Sequence, residues 1–482
     1  MGPVPELAER ARECARRLTE AEEVLLASHI DADGLTSAAI AATALERASV
    51  PFEVVFKNQL DEAEIASIAA CRQETVLFTD FGSGQLDDIA AHEQAGDFEP
   101  VIADHHQPAD ADTEYHLNPL LEGIDGASEL SGAGAAYLLA RALAAAAGAA
   151  NEDSAGADPA ADNRDLAALA VVGAVGDMQA VGGELVGANR DIVEEGIAAG
   201  VLEERTDLAL YGTQTRPLPK LLEYASEVRI PGISNDEAGA VAFLSELDVE
   251  LRADGEWRRW VDLSDGERQA VASALVQHAL ERGVPAGKVD SLVGTTYTLE
   301  RERPGTELRD ASEFSTLLNA TARYERADVG LAVCLGDRGE ALSRARRLLE
   351  NHRRNLSEGL DLVQSTGVEQ TDNLQYFDAG EEIRETIVGI VAGMALGVDG
   401  IDPHRPIVAF ARKSEAETKV SARGTARLVG RGLDLSAVMG EASQAVGGDG
   451  GGHDVAAGAT IPVGREEAFV EAADALVADQ LG

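Results

Sequence analysis

VLLASHIDADG (residues 24–34) reads as a short buried strand that runs directly into His29, Asp31, Asp33 and Gly34. Three more stretches of β character follow it: FEVVF (52–56), TVLFT (75–79) and FEPVIA (98–103). Ala-rich helical stretches such as SAAIAATALERA (37–48) lie between them. Strands alternating with helices predict an α/β fold with a parallel sheet over the first 195 residues. An open parallel sheet gathers its ligand site beyond the carboxyl ends of its strands, and that is where the polar motifs of this chain stand.

There are four such motifs: Ser28-His29-Ile30-Asp31-Ala32-Asp33-Gly34, Thr79-Asp80-Phe81-Gly82, Ala103-Asp104-His105-His106 and Gly173-Ala174-Val175-Gly176-Asp177-Met178. The first three each follow a predicted strand, and the fourth follows or lies in the apolar segment LAALAVVGAVGDM. Any one of them has a structural reading, since an Asp after a strand is commonly a helix cap. Together they bring His29, Asp31, Asp33, Asp80, Asp104, His105, His106 and Asp177 toward one end of the sheet. Five crowded carboxylates cannot all stay ionised without cations. Mixed imidazole and carboxylate donors suit Mn²⁺, Zn²⁺ or Fe²⁺, with Mg²⁺ less favoured by the histidines. The set is large enough for two ions about 3.5–4 Å apart, an arrangement that clamps a phosphodiester during in-line displacement.

The stretch AAAGAANEDSAGADPAADNRDL (144–165) is low in complexity and reads as a surface insertion within the first domain. Helical pattern dominates residues 196–290, a connecting region, and a second, smaller α/β domain is expected over 291–482. That domain ends with the strands PIVAFA (406–411) and TKVSARG (418–424), followed by a glycine-rich loop.

These motifs resemble the DHH phosphoesterase superfamily, whose triad stands here as Asp104-His105-His106. Val420-Ser421-Ala422-Arg423-Gly424 and Gly447-Gly448-Asp449-Gly450-Gly451-Gly452-His453 are similar to the substrate strand and glycine signature of the C-terminal domain that accompanies it. Residues 308–337 (LRDASEFSTLLNATARYERADVGLAVCLGD) resemble archaeal RecJ-like exonucleases, including the GINS-associated nuclease group. The resemblance implies that His29, Asp31 and Asp80 hold one metal, and that Asp33, Asp80, His105 and Asp177 hold the other, with Asp80 bridging. It further implies that Asp104 orients a histidine of the triad and that His106 lies near the scissile phosphate. Two Mn²⁺ ions are expected, with Mg²⁺ as the second choice. No ligand position is missing, unlike in the eukaryotic replicative-helicase subunit of the superfamily.

The substrate side is expected to use Ser421, Arg423, Arg427, Gly450, Gly451, Gly452 and His453, with Asn189 and Arg190 at the nucleic-acid end and the active site in a cleft between the domains. Asp449 departs from the glycine-only centre of the family loop.

Composition at first sight opposes a nucleic-acid partner: 85 Asp+Glu against 40 Lys+Arg give a formal charge of −45 over 482 residues. Locally, however, residues 405–431 carry seven cations and two acids. Only five of the cations in the whole chain are lysines, and the acidic excess is spread along its length. Both facts fit a haloarchaeon-like protein whose carboxylates keep it hydrated in concentrated salt, where a Debye length near 3 Å screens self-repulsion. No apolar run of transmembrane length occurs, and the scattered Cys14, Cys71 and Cys334 fit a reducing cytoplasm.

The expected function is metal-dependent exonucleolytic hydrolysis of single-stranded DNA or RNA in repair or replication, with possible GINS or replisome association and no membrane. Two alternatives are an oligoribonucleotide or cyclic-dinucleotide phosphodiesterase, and a replisome scaffold with little catalysis.

Overall fold

Strand β1 (Val24–His29) sits near the middle of a five-stranded sheet with β2 (Phe52–Lys57) on one side and β3 (Thr75–Thr79), β4 (Glu99–Ala103) and β5 (His116–Leu117) on the other. The computed structural model describes residues 2–148, 159–225, 228–398 and 400–481. All pairings in this sheet are parallel. The order β2-β1-β3-β4-β5 reverses direction between β1 and β3, which makes the carboxyl ends of those two strands the topological switch point. Strands β1, β3 and β4 are buried on both faces, while the edge strand β2 is only half-buried. Leu25, Ala27, Val76, Phe78 and Ile102 pack in one cluster. Leu26, Leu77 and Val101 are buried on the opposite side, the side of helices α1 (Ala32–Arg47) and α2 (Gly132–Ala146). Residues 149–158 of the low-complexity stretch at 144–165 fall outside the described residues; α2 runs into the stretch and ends at Ala146.

Helix α3 (Ala167–Gly176) is the apolar segment of the fourth motif, so Asp177 caps the carboxyl end of a helix and does not follow a strand. Helix α4 (Gly187–Ala198) leads to strand β6 (Leu202–Leu208), which pairs antiparallel with β7 (Val293–Leu299). The helical pattern expected over 196–290 thus contains a strand and forms a small body with its own core, including Leu218, Leu221, Trp260, Val271 and Leu275. Two compact units emerge, Met1–Arg346 and Arg347–Gly482. The division differs from the boundary expected near residue 291. Helices α5 (Ala311–Arg323) and α6 (Ala327–Cys334) pack on α1, and α5 also packs on α3, within the first unit. Helix α7 (Glu340–Thr366) carries the chain from one unit into the other.

The second unit holds a mixed six-stranded sheet. Its strands are β8 (Glu369–Gln370), β9 (Gln375–Asp378), β10 (Ile407–Arg412), β11 (Glu417–Arg423), β12 (Asp449–Gly452) and β13 (Ala456–Pro462), in the spatial order β8-β9-β10-β11-β13-β12. Only β9 and β10 run parallel. Helix α8 (Glu385–Ala395) covers one face, while α9 (Leu435–Ala445) and α10 (Glu466–Leu481) cover the other. The glycine-rich loop is therefore not a loop: its centre is the edge strand β12. Among the described residues no helix is long and apolar enough to cross a membrane.

Glu313 of α5 is fully buried and accepts hydrogen bonds from the Gln214 amide (2.8 Å) and the Thr215 hydroxyl (2.5 Å). Burial pushes its carboxyl up to about 7. Burial likewise pushes Asp310, the N-cap of α5, up to about 6. A carboxyl whose folded pKa is raised binds its proton more tightly in the folded state. Its contribution to stability is full below the ordinary carboxylate range and is lost as pH rises through about 7. Glu313→Gln, which mimics the neutral form, should gain stability relative to the wild type between about pH 4.5 and 7 and hold a constant difference above. Denaturant unfolding of both proteins at pH 5, 6, 7 and 8 reads this directly; a difference that does not change with pH would contradict it.

Candidate active site

Backbone geometry at the switch point dictates the centre of the site. Asp80, the first residue after β3, has φ of 61° and is 2% exposed. A left-handed conformation costs a non-glycine residue energy that must be met elsewhere. Here it turns the carboxylate between two histidines: Oδ2 lies 3.6 Å from His29 Nδ1, and Oδ1 lies 3.3 Å from His105 Nε2.

Around this bridge the other acids fall into two groups. On one side, His29 Nδ1 lies 3.1 Å from Asp31 Oδ2. Asp31 caps α1, its Oδ1 accepting the Gly34 amide at 2.9 Å. On the other side, His105 Nε2 lies 3.9 Å from Asp33 Oδ2 and 3.8 Å from Asp177 Oδ2. Asp33 is held by the first amides of α2, with Gly132 and Ala133 donating at 2.7 and 3.0 Å. That is a favourable seat for a carboxylate, because helix amino ends carry unpaired N–H groups and positive potential. The donor atoms of His29, Asp31 and Asp80 all lie within 4.8 Å of one another, as do those of Asp33, His105 and Asp177.

Asp104 plays a different part. Its side chain is fully buried and accepts from the amides of Ser83 (2.9 Å), His105 (2.7 Å) and His106 (3.3 Å) and pairs with His106 Nδ1 at 2.8 Å. The histidine it orients is therefore His106, whose side chain is 56% exposed. The other ring, His105, is fixed through Nδ1 by the Gly126 carbonyl at 2.6 Å. Sequence reasoning missed that support, as it missed Gln179, which donates to the same carbonyl (2.8 Å) and to Asp177 Oδ2 (2.9 Å). It also missed the Ser83, His116 and Asn118 network behind Asp104 and His106.

Electrostatics show what this arrangement suits. Burial opposes charge on His29, but Asp31 and Asp80 prevail and push it up to about 11. His105 is likewise raised well above its ordinary value, against burial, chiefly by Asp80. Asp80 is held down to about 2 by the same two histidines, although burial alone would raise it. Asp33 is pushed far up by burial and by the charges of Asp80 and Asp177. Without cations the cluster retains protons on two imidazoles and on a buried acid. Divalent metal between the same N and O donors would take over the role of those protons, so the residues present fit a bound metal.

Asn189 and Arg190 do not stand ready for substrate. Asn189 is buried, donates to Gln179 Oε1 at 2.6 Å and accepts the Ser131 amide, so it supports Gln179 from behind. Arg190 is paired with Glu194 and Glu204.

In the second unit, β11 alternates cleanly. Val420 and Ala422 enter the core, while Lys419, Ser421 and Arg423 share the opposite face. The register places Ala409, Ser421, Gly458 and Gly451 in one row across four strands. That row is a flat floor of small residues beside Lys419 and Arg423. Gly389 of α8 admits Arg423 and Ser421 closely: a Cβ there would stand 2.5 Å from Arg423 Nη2 and 3.1 Å from Ser421 Oγ. The expected glycines separate here. Gly451 opens to space, with nothing within 4 Å of an added Cβ. At Gly450, in contrast, an added Cβ would stand 2.8 Å from the Met439 carbonyl, and at Gly452 it would stand 2.7 Å from Ala457 Cα, on the other face, so both serve packing. Asp449 lies in the Lys419 row through Thr460. Arg427 and His453 are exposed. Burial, with Lys413 nearby, lowers the Lys419 pKa.

Comparison with known proteins agrees with this geometry. Residues 23–173 match the DHH family N-terminal domain, 210–293 the DHH-CID domain and 371–479 the DHHA1 domain. A curated relative, the uncharacterized protein MJ0831 of Methanocaldococcus jannaschii, is 28% identical over 94% of this chain and 93% of its own. Among solved structures, exonuclease RecJ bound to manganese has a TM-score of 0.61 at 18% identity, covering 99% of this chain and 96% of that one. RecJ of Thermus thermophilus in complex with Mn²⁺ gives 0.60 at 18%, with 99% of this chain covering 55% of that longer one. Cdc45 of Entamoeba histolytica gives 0.63 at 10%, covering 98% of this chain and 99% of that one. These likenesses concern the fold alone; the three domain matches show that the chain carries a DHH, a DHH-CID and a DHHA1 domain.

Proposed function

We propose that this protein is a two-metal phosphodiesterase that removes nucleotides from an end of single-stranded nucleic acid. The observation that carries the reading is Asp80, fixed in a left-handed turn with one oxygen toward the His29/Asp31 group and the other toward His105. Bound divalent ions, Mn²⁺ first and Mg²⁺ second, would supply Lewis acidity and activation of the attacking water. The chain's own residues do the rest. His29, Asp31 and Asp80 hold one position; Asp33, Asp80, His105 and Asp177 hold the other. His106, half exposed and fixed through Nδ1 by Asp104, presents its Nε2 edge to the phosphate as a hydrogen-bond donor. Ser421 and Arg423 beside the Gly451–Gly458 floor would bind the phosphodiester backbone, where the absence of Cβ atoms allows close approach.

The deciding experiment is digestion of end-labelled DNA and RNA single strands of about 30 nucleotides, against a dinucleotide, with Mn²⁺ in multimolar KCl. Progressive shortening of the long strand supports the exonuclease; preference for the dinucleotide would favour the small-substrate alternative. An inert wild type under every polarity and sugar would leave the replisome-scaffold reading. Likeness to the Cdc45 fold motivates testing GINS association in the same preparations. High salt is the proposed working condition, given the distributed charge of −45.

A further inference from the structure

Helix α5 lies inside the segment 308–337 and touches both ligand-bearing helix ends of the metal centre. One of its faces, at i, i+4 and i+8 spacing, carries Ser315, Asn319 and Arg323. Ser315 lies under Gly176, the residue before Asp177: a Cβ on Gly176 would stand 3.1 Å from Ser315 Cβ. Asn319 Oδ1 accepts the Ala32 amide at 3.1 Å, between Asp31 and Asp33. That amide belongs to the first turn of α1 and has no intrahelical acceptor, so Asn319 supplies the partner that helix geometry withholds. Arg323 lies near enough to Asp31 to feel its charge. At the other end of α5, Glu313 is buried on the Gln214 amide and Thr215 hydroxyl, which lie in the DHH-CID match.

We infer that α5 is a strut through which the 210–293 body sets the metal-binding turn, with Asn319 as the positioning residue at one end and Glu313 as the anchor at the other. Six residues of helix, about 9 Å, separate them, and all the partners belong to one compact unit. The inference rests on the reading of residues 28–34 as part of a metal centre. Ligand geometry must be held to about 0.5 Å for a site to bind well. A freed Ala32 amide lets the start of α1 shift, carrying Asp31 and Asp33 with it. Arg323 is not required for the strut, because its charge can be removed without touching the Asn319 or Glu313 bonds.

The full-length protein can be followed by amide hydrogen exchange without metal and by calorimetric titration with Mn²⁺. Asn319→Leu and Glu313→Ala should each raise exchange over residues 28–35 and weaken Mn²⁺ binding by about tenfold or more, as loss of outer supports does in metal sites. Asn319→Asp keeps the acceptor, and Glu313→Gln keeps an oxygen for the Gln214 amide while its NH2 can donate to the Thr215 hydroxyl, so both should stay close to the wild type in exchange. Thr316→Ala, whose hydroxyl bonds only Ser312 O of the same helix at 2.8 Å, should change neither readout. If Leu at 319 prevents folding, Asn319→Ala replaces it. Exchange raised by Glu313→Ala only around 210–216 and 311–316, with unaltered Mn²⁺ binding, overturns the strut. Unaltered Mn²⁺ affinity in the 319 variants overturns the positioning role. A wild type that binds no Mn²⁺ would instead defeat the metal reading, while the exchange data would still decide whether α5 holds the turn.

Discussion

Asp80→Asn should lower Mn²⁺-dependent strand hydrolysis by about a thousandfold or more and weaken Mn²⁺ binding, while the metal-free protein stays folded. Asn is the informative substitution because it tolerates a φ of 61° far better than Ala. Loss of activity then reports on charge and coordination, free of a backbone penalty. The magnitude follows from the position of the group. Lewis-acid stabilisation by a metal pair is worth several kcal/mol, and at 1.36 kcal/mol per factor of ten a loss of about 4 kcal/mol is about a thousandfold. A peripheral carboxylate would cost far less. Because Asp80 titrates near 2 in the metal-free fold, its ion pairs with His29 and His105 contribute stability above the ordinary carboxylate range. That contribution falls away as pH drops through about 2. The variant should therefore unfold somewhat more easily than the wild type at pH 7 when both are stripped of metal. Activity within tenfold of the wild type would remove Asp80 from the bridging position.

Why the sequence disclosed the proposed ligands but not their supports is a matter of range. His29, Asp31, Asp33 and Asp80 stand immediately after strands of clear β character, and a parallel sheet aligns the carboxyl ends of neighbouring strands without further information. Gln179, Asn319 and the first amides of α2 reach the site through tertiary packing. Ala32 and Asn319 are 287 positions apart in the chain, a separation at which no periodic pattern carries a signal. The same limit explains Asn189. A polar residue before an Arg at a helix start looks solvent-facing in one dimension, yet it proves to be a buried link to Gln179.

The second unit shows the converse error. Glycine-rich sequence reads as a loop because glycine has poor β propensity. Register overrides propensity here: Gly450, Gly451 and Gly452 pair with Ala459, Gly458 and Ala457, and the first and third are small because packing leaves no room for more. Only the period of two, read against β13, separates the one glycine that faces open space from its neighbours. The domain boundary was displaced for a related reason. Residues 308–337 are rich in helix formers and follow a strand, so they read as the opening of a new α/β layer, although their apolar faces are spent on α1 and α3 of the first unit.

Gly132→Ala is the second large effect, and it reverses what helix propensity alone would give. Ala stabilises an ordinary helical position by up to about 1 kcal/mol over Gly. At residue 132 the added Cβ would stand 2.3 Å from Asp80 Oδ1 and 2.7 Å from Asp80 Cβ. Neither neighbour can yield cheaply. Asp80 is fixed by its left-handed backbone and by His29 and His105. The start of α2 is fixed by the amides of Gly132 and Ala133 on Asp33. Whichever side moves, a proposed metal ligand moves with it. Destabilisation by about 1–3 kcal/mol, the range for overpacked interiors, is therefore expected. A fall in hydrolysis of about a hundredfold or more should accompany it, because a 1 Å misplacement of reacting groups already costs about that much. Gly266→Ala is the matched control, in a helix where an added Cβ meets nothing within 4 Å; it should unfold no more easily than the wild type and retain full activity. If Gly132→Ala behaves like that control in both unfolding and hydrolysis, the close contact between α2 and Asp80 does not exist in solution. The coupling of the two ligand groups through that contact would then have to be abandoned.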